Sequence, residues 1–338
     1  MHVSIIIPTY NRAAYLNDLL KSLIDQEKRA FFDYEALIVD NGSTDSTPSV
    51  CEKLIAQYGE QNVRYINEPV PGLLAARHRG VIESEGDILI FIDDDIIPGQ
   101  NWLISIADTF LEQNVHLVGG KSLPVYEESP PSWHQALWTQ VSEIKSSCGY
   151  LSLLDYGETY CEIDHSFIWG LNYAVRKNSL KLAGGFHPDG LPWHLRKLRG
   201  DGESGLSHSL KSHGLKAIYH PAATVYHRIS KDRLSLDYIS KRSYLQGISD
   251  SYTQIRSQNG CHAPEESMKL RISKRINKLT SLLSLLKDSK KRNFFNVFST
   301  ISQAYQEGFS YHQQEAMKSS RLMDWILKEN YWDYRLPE

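Results

Sequence analysis

Cysteine is scarce in this sequence, and its few copies are not paired. The four cysteines, at 51, 148, 161 and 261, form no C-x-x-C, which counts against a zinc knuckle or a thioredoxin-like redox site. Reduced, structural thiols are expected. No apolar run approaches the roughly 20 residues a membrane helix needs. The opening "MHVSIIIPTYNR" lacks the charged n-region and small-residue cleavage site of a secretory signal, so cytoplasmic residence is expected. A net charge of −3 gives no broad basic field, and no nucleic-acid partner is expected. No G-x-G-x-x-G follows a candidate strand, and no G-x-x-x-x-G-K-[ST] occurs, which argues against dinucleotide and P-loop sites. Any bound phosphate must then be held by a metal and by basic residues.

The chain does contain an ordinary globular composition, 41% hydrophobic and 23% charged over 338 residues. That length suits one large domain, or one domain with a helical annex. Its first half alternates. "VSIIIP" reads as a strand, and "AAYLNDLLKSLID" carries helical spacing at Leu16, Leu19, Leu20 and Leu23. "EALIVD", "VRYINEP" and "GDILIFID" read as further strands, with "SVCEKLIAQY" and "GLLAARHRGVIES" as helices between them. Such alternation predicts an α/β fold, a mostly parallel sheet covered on both faces. Ligands in these sheets sit outside the carboxyl ends of the strands, where "PTYNR", "DNGSTD" and "DDD" all fall. Residues 121–168, rich in aromatics, proline and serine, read as an irregular insertion with short helices, for example around Trp133–Glu143. Later come a strand and helix in "SFIWGLNYAVRKNSL", a helix opened by acids in "GDGESGLSHSLKSHG", and a strand pair broken by Pro221. From about Leu234 the chain reads as helical to its end.

"GDILIFIDDDIIPG" poses the central chemical question. An apolar strand runs into Asp93, Asp94 and Asp95, whose like charges repel and whose ionisation an apolar surround makes costlier. A cation absent from the sequence resolves this. Alternation along an extended strand puts Asp93 and Asp95 on one side and Asp94 on the other. One or two carboxylates plus a diphosphate meet the oxygen demand of a divalent ion. Asp40, ending the second strand beside Asn41, Gly42 and Ser43, is placed either to accept a base N–H or to cap the next helix. Arg77 and Arg79 on one helix, and Arg12 after the first strand, are phosphate candidates, although each alone is more often a surface charge.

Five blocks carry a resemblance: "SIIIPTYNR", "LIVDNGSTDST", "PGLLAARHRGVIESEGDILIFIDDDI", "WGLNYAVRKNSLKLAGGF" and "GDGESGLSHSLKSHG". In this order they resemble family 2 inverting glycosyltransferases, which have the GT-A nucleotide-diphospho-sugar-binding fold. The likeness covers about residues 1–230, and implies a 1–120 nucleotide-binding half, a 121–230 acceptor-binding half and a separate 231–338 helical region. It implies that Pro8, Thr9, Tyr10 and Arg12 line the nucleotide, and that Asp40, with Ser43 beside it, reads the base. Asp95 is implied as a metal ligand, Asp93 and Asp94 as partners of ribose and metal, and His227 as a further ligand. Trp169, Gly170 and Asn172 are implied to border donor sugar and acceptor.

The family's base is usually the aspartate of a Glu-Asp pair, whereas this chain has "GDGESGL". Alignment on Leu206 puts Glu203 in the base position and leaves Asp201 to orient or bind the acceptor. The resemblance thus implies transfer from a nucleotide-diphospho-sugar, with uridine favoured, to a glycan or lipid-linked hydroxyl in polysaccharide assembly. Mn²⁺ or Mg²⁺ would assist, since oxygen ligands with one imidazole suit these ions. Trp133, Trp138, Trp169 and Trp193 are candidates to offer flat faces to acceptor sugars, although each alone is more often a core or hinge residue, and 187–200 has the composition of a lid. The stretch 268–293 holds nine Lys/Arg against one Asp with an apolar stripe, so peripheral membrane contact is one reading and packing on the body the other. The rival functions are a sugar nucleotidyltransferase and a non-catalytic, cation-dependent glycan-binding module.

Overall fold

The computed structural model describes residues 1–27, 31–59, 63–142, 145–261, 289–333 and 335–337. The chain opens with β1 (His2–Thr9), α1 (Ala13–Ile24), β2 (Asp33–Asp40), α2 (Thr47–Tyr58), β3 (Val63–Asn67), α3 (Leu73–Glu83) and β4 (Ile88–Ile92). These strands pair in parallel in the order β3-β2-β1-β4. Alternation decides which face each side chain takes. Val3, Ile5, Ile7 and Ile38 join the apolar layer under α1, while Ile6, Leu37, Val39 and Phe91 join the layer on the opposite face with α3. Leu16, Leu19, Leu20 and Leu23 of α1 are all buried, each contributing about 1.5–3 kcal/mol. The first half matches the sequence reading.

After β5 (Ile96–Pro98), α4 (Trp102–Thr109) and β6 (Val115–Gly119), the chain departs from it. The supposed irregular insertion holds β7 (Ser122–Tyr126), β8 (Thr139–Ser142), β9 (Lys145–Cys148), β10 (Leu153–Asp155) and β11 (Cys161–Glu162). Short strands set among proline, serine and aromatic residues leave no period of two to read. Next come β12 (Asn172–Arg176), α5 (Lys177–Leu182), α6 (Glu203–Ser212), β13 (Lys216–Tyr219) and β14 (Val225–Ile229). One eight-stranded sheet runs β11-β13-β6-β12-β4-β1-β2-β3, and a six-stranded sheet runs β5-β14-β7-β10-β9-β8. The large sheet is mixed, because β12 lies antiparallel to both β4 and β6. The acidic triplet lies where the chain passes from β4 in the first sheet to β5 in the second.

The remaining chain is helical, with α7 (Leu236–Gln258), α8 (Ser289–Lys318) and α9 (Ser320–Leu327). The expected basic amphipathic stretch 268–293 lies, as far as residue 288, outside the described residues. Among the described residues no helix is long and apolar enough to cross a membrane. The helical region is no loose annex. Trp325 and Tyr331 share the apolar cluster of α3 and β12, and the Trp325 indole N–H donates to the Leu198 carbonyl at 2.8 Å. Trp332 stacks on His78 of α3 with ring centres 4.2 Å apart. α7 and α8 cross with backbones in contact at Gly247 and Gly308. A Cβ on Gly308 would overlap the Tyr244 carbonyl, and one on Gly247 the Tyr305 carbonyl.

Glycine to alanine inside a helix ordinarily gains about 1 kcal/mol. At Gly308 the backbone overlap outweighs that gain, since overpacking costs about 1–3 kcal/mol. Gly308→Ala is therefore expected to lower the urea midpoint, while Gly149→Ala, with open space around its Cβ, leaves it near the wild-type value. Equal midpoints for the two variants would contradict the close crossing.

Candidate active site

β4 is fully buried over its five residues and ends at Ile92, one residue before the triplet. Asp94 and Asp95 lie in a turn, so the expected strand alternation does not hold and the three carboxylates fan apart. Asp94 Oδ2 accepts from the Thr9 hydroxyl at 2.7 Å, tying β1 to the turn. Asp95 Oδ2 accepts from Arg233 Nη2 at 2.6 Å, and Arg12 lies 3.9 Å from both Asp94 and Asp95. Asp93 turns into a cavity shared with Arg77 and Glu203. Burial, and then the neighbouring Asp95 charge, push the carboxyls of Asp93 and Asp94 up, that of Asp94 to about 8. Burial also acts on Asp95, but the guanidinium charges of Arg233 and Arg12 beside it outweigh burial and hold that carboxyl below the ordinary range. A cluster of this kind favours added positive charge.

The expected ligand set Asp93, Asp95 and His227 does not assemble. Among the described residues, no group of three or more His, Cys, Asp or Glu is arranged to hold a metal. Asp95 and His227 do meet, with Oδ1 3.4 Å from Nε2. Their chemistry fits a cation. His227 Nδ1 lies 3.0 Å from the Leu151 carbonyl, an acceptor only, so Nδ1 carries the proton. Nε2 then presents a lone pair, facing a buried Asp95 Oδ1 that has no hydrogen-bond partner. Two acceptors side by side suit a divalent ion completed by phosphate oxygens. In the structure the cation beside them is a guanidinium, with Arg233 Nη1 2.6 Å from His227 Nε2. Sequence reading missed Arg233 altogether.

Glu203 opens α6 on the wall of a cavity of about 750 Å³. Arg77 Nη1 lies 3.2 Å from Glu203 Oε2, and the Gly170 N–H donates to Oε1 at 3.2 Å. Burial raises the Glu203 carboxyl, and the Arg77 charge more than reverses this, leaving it below the ordinary glutamate range. Arg77 is only 2% exposed, which corrects its reading as a surface charge or a phosphate ligand. Its partner is Glu203. Gly170 contributes by having no side chain, because a Cβ there would overlap the Arg77 guanidinium. Asp201 is clasped rather than free, 2.6 Å from His187 Nδ1 and accepting from the Thr253 hydroxyl at 2.7 Å. It can orient the start of α6. The opposite wall is one polar face of α7, where Arg242, Gln246, Ser249, Thr253 and Ser257 recur every three or four residues.

A second cleft, of about 570 Å³, opens at the carboxyl ends of β1 and β2, lined by Pro8, Thr9, Tyr10, Asn41, Gly42 and Leu191 among others. Tyr10 is 57% exposed and free to stack. Asp40, expected to read a base, is 1% exposed, with its oxygens taken by the Ser43 N–H and the Tyr65 hydroxyl, so it braces the turn from behind. The Ser43 hydroxyl accepts from the Asn11 N–H. Asn11, at φ 55°, accepts in turn from Thr44 and Asp45, and Asn41 holds Glu68, Val70 and Gly72. These two asparagines staple the cleft loops, and for Asn11 asparagine's tolerance of the left-handed region was the sequence signal.

One acceptor assignment also changes. Asn172 is 3% exposed and spends its amide on Trp102, Lys121 and Ala223, joining the sheets instead of facing a substrate. Trp169, Trp133 and Trp138 are half-buried against apolar clusters. Trp193 is exposed, with Arg196 over its ring, and its 3-10 segment is tethered to α9 through Leu198.

A mixed sheet with an acidic turn beyond β4 and two clefts along one edge defines a GT-A fold. Residues 4–175, just over half of the chain, match the family described as glycosyl transferase family 2, and the chain belongs to that family. Glycosyltransferase AglE of Haloferax volcanii is 37% identical over 118 residues, 35% of this chain and 38% of that protein. The minor teichoic acid biosynthesis protein GgaA of Bacillus subtilis is 32% identical over 126 residues, 36% of this chain and 27% of its own length. The aligned stretch thus spans well under half of either relative. The mannosyltransferase PcManGT of Pyrobaculum calidifontis, solved with GDP-Man and Mn²⁺, superposes over 98% of this chain and 88% of its own. Its TM-score is 0.54 and its identity 16%, a likeness of fold.

The Arg77–Glu203 pair has a stability consequence. Glu203's folded pKa is depressed, so its contribution is present above the unfolded glutamate value and is lost as pH falls through the folded one. At neutral pH, Arg77→Met leaves Glu203, whose side chain is 21% exposed to the cavity, without its cation and is expected to cost about 1–3 kcal/mol. Arg79→Met, which breaks only an exposed pair with Glu83, costs about 0.3–0.5 kcal/mol. Chemical denaturation measures both, and equal losses would contradict the buried pair.

Proposed function

We propose that this chain is an inverting glycosyltransferase that moves a sugar from a nucleotide-diphospho-sugar to a hydroxyl of a glycan or lipid-linked acceptor in polysaccharide or glycoconjugate assembly. The observation that carries this reading is Glu203, an ionised carboxylate held by Arg77 and Gly170 beside Asp93, next to the acidic turn. We divide the chain into a catalytic body, 1–230, and a helical region, 231–338. Residues 1–120 serve the nucleotide and 121–230 the acceptor, with α7 of the helical region adding the far wall of the acceptor cavity.

The nucleotide lies in the cleft between Pro8–Tyr10 and Asn41–Gly42, its base against Tyr10, and UDP-sugars are the first donors to test. Its diphosphate points towards Arg12 and the Asp95–His227 pair. Asp95 and His227 would hold Mn²⁺ or Mg²⁺, which would supply positive charge to offset the negative charge growing on the leaving phosphate. Glu203 accepts the proton of the acceptor hydroxyl. The acceptor oxygen bonds to the anomeric carbon from the face opposite the diphosphate. The bond to the phosphate oxygen breaks, and the nucleoside diphosphate leaves with that electron pair. Asp201, held by His187 and Thr253, keeps the start of α6 in place. The acceptor's hydroxyls find their partners in the polar face of α7, which suits a hydrophilic saccharide better than an acyl chain.

A positioned base contributes about 10²–10⁴ in rate. Glu203→Gln is expected to lose that much in released nucleoside diphosphate from donor, acceptor and Mn²⁺, while its nucleotide affinity stays within twofold of wild type, roughly. Because the ionised form is active and Glu203's value is depressed, the acid limb of wild-type kcat/KM is expected below pH 4.5, the ordinary glutamate value. Full turnover by Glu203→Gln would remove the proposed base.

A further inference from the structure

Arg233 forms a fork across the two side chains, Asp95 and His227, that the proposed reaction needs for its cation. Nη2 lies 2.6 Å from Asp95 Oδ2, and Nη1 lies 2.6 Å from His227 Nε2. The contact at Nε2 consumes an atom that a metal would use, since Nε2 has one lone pair and its tautomer is fixed by Leu151, while the contact at Oδ2 offsets the Asp95 charge and leaves Oδ1 unpaired. A guanidinium and a divalent ion cannot share that lone pair. A guanidinium does not deprotonate in a protein, so this cation cannot leave by losing a proton. It leaves only by moving.

Arg233 is placed to move. It lies in the short 3-10 segment Lys231–Leu234 that joins β14 to α7, and its side chain remains 19% exposed. A guanidinium leaving a carboxylate needs another anion with fork geometry, and a diphosphate is the anion this site is built to receive. Arg12, 3.9 Å from Asp95, stays to offset part of the acidic charge meanwhile.

We propose that Arg233 is a resident cation that occupies the Asp95–His227 seat in the ligand-free protein and yields it to a divalent ion when a nucleoside diphosphate draws the guanidinium onto its phosphates. Arg233 acts as a positioning residue. It suppresses metal binding to the free protein and couples metal binding to donor binding. The inference rests on the proposed site and deepens it. Because coupling is reciprocal, the metal strengthens nucleotide binding by the same factor by which the nucleotide strengthens metal binding.

Titration of the full chain with Mn²⁺, read by the electron paramagnetic resonance of free Mn²⁺, tests this without turnover. UDP and GDP are run in parallel, and their own affinities are measured separately by calorimetry. Arg233→Ala without nucleotide is expected to bind Mn²⁺ about tenfold more tightly than wild type, within the usual range of coupling. Its affinity for metal-free nucleotide is expected to fall by a similar factor. Arg233→Lys, which keeps the charge but not the fork, falls between the two and controls for folding. Equal Mn²⁺ affinity in wild type and Arg233→Ala would overturn the inference and leave the donor site standing. No Mn²⁺ binding by either, even with bound nucleotide, would overturn the inference and the metal together. No binding of either nucleotide would remove the donor reading itself.

Discussion

The repulsion among Asp93, Asp94 and Asp95 must be offset, because they follow a strand with all five residues buried and water cannot screen them well. The fold meets this demand from several directions. Thr9 donates to Asp94 from the end of β1, Arg12 approaches from the loop that follows, and Arg233 and His227 close on Asp95 from β14 and beyond. Each contact ties a distant part of the chain to the same turn. The junction between the two sheets is therefore also where the chemistry is concentrated. Packing alone would not require three acids here.

The second acidic group is organised by the same logic with a different cation. Glu203 has Arg77, and Arg77 is kept in place by the absence of a side chain at Gly170 and by the Phe186 ring, 4.9 Å from its guanidinium. Asp93 of the acidic turn and Glu203 thus border one cavity, while Arg233 holds Asp95 of that turn and Arg77 holds Glu203. Arg77 is enclosed by core and stays with its partner, whereas Arg233 lies in a short connector with access to solvent. That difference in enclosure is what lets one pair be permanent and the other exchangeable. The helices after residue 235 complete the arrangement, since α7 supplies the far wall and Thr253 secures Asp201.

Much of this was legible in the sequence where the signal was local. The strand–helix alternation over β1–β4, the leucine spacing of α1 and the acids opening α6 are all set by neighbours within a few residues. Glu203 was reached by aligning Leu206 with the family pattern, and the structure sets it at the start of α6 beside Arg77. Contacts between remote segments were not legible. Arg77 on an isolated helix looks like a surface charge, and nothing nearby announces a partner 126 residues away. Arg233 meets Asp95 across 138 residues. Asp40 and Asn172 stand at strand ends that face ligands in such folds, yet Tyr65 engages the first, and Trp102 and Ala223 the second. The strands between 122 and 155 were missed because four short segments among prolines and aromatics show no alternation. The polar stripe of α7 was present as a pattern, but which way it faced depended on α8 packing behind it.

The central claim is that Asp95 Oδ1 and His227 Nε2 together form the seat of the reaction's cation. Electron spin-echo spectroscopy of Mn²⁺ bound with UDP or GDP tests it most directly, because it detects nitrogen and phosphorus nuclei close to the ion. The account predicts modulation from one imidazole nitrogen together with phosphorus coupling, with the nitrogen signal absent in His227→Ala. Phosphorus coupling without any nitrogen, or a nitrogen signal that persists in His227→Ala, would contradict it.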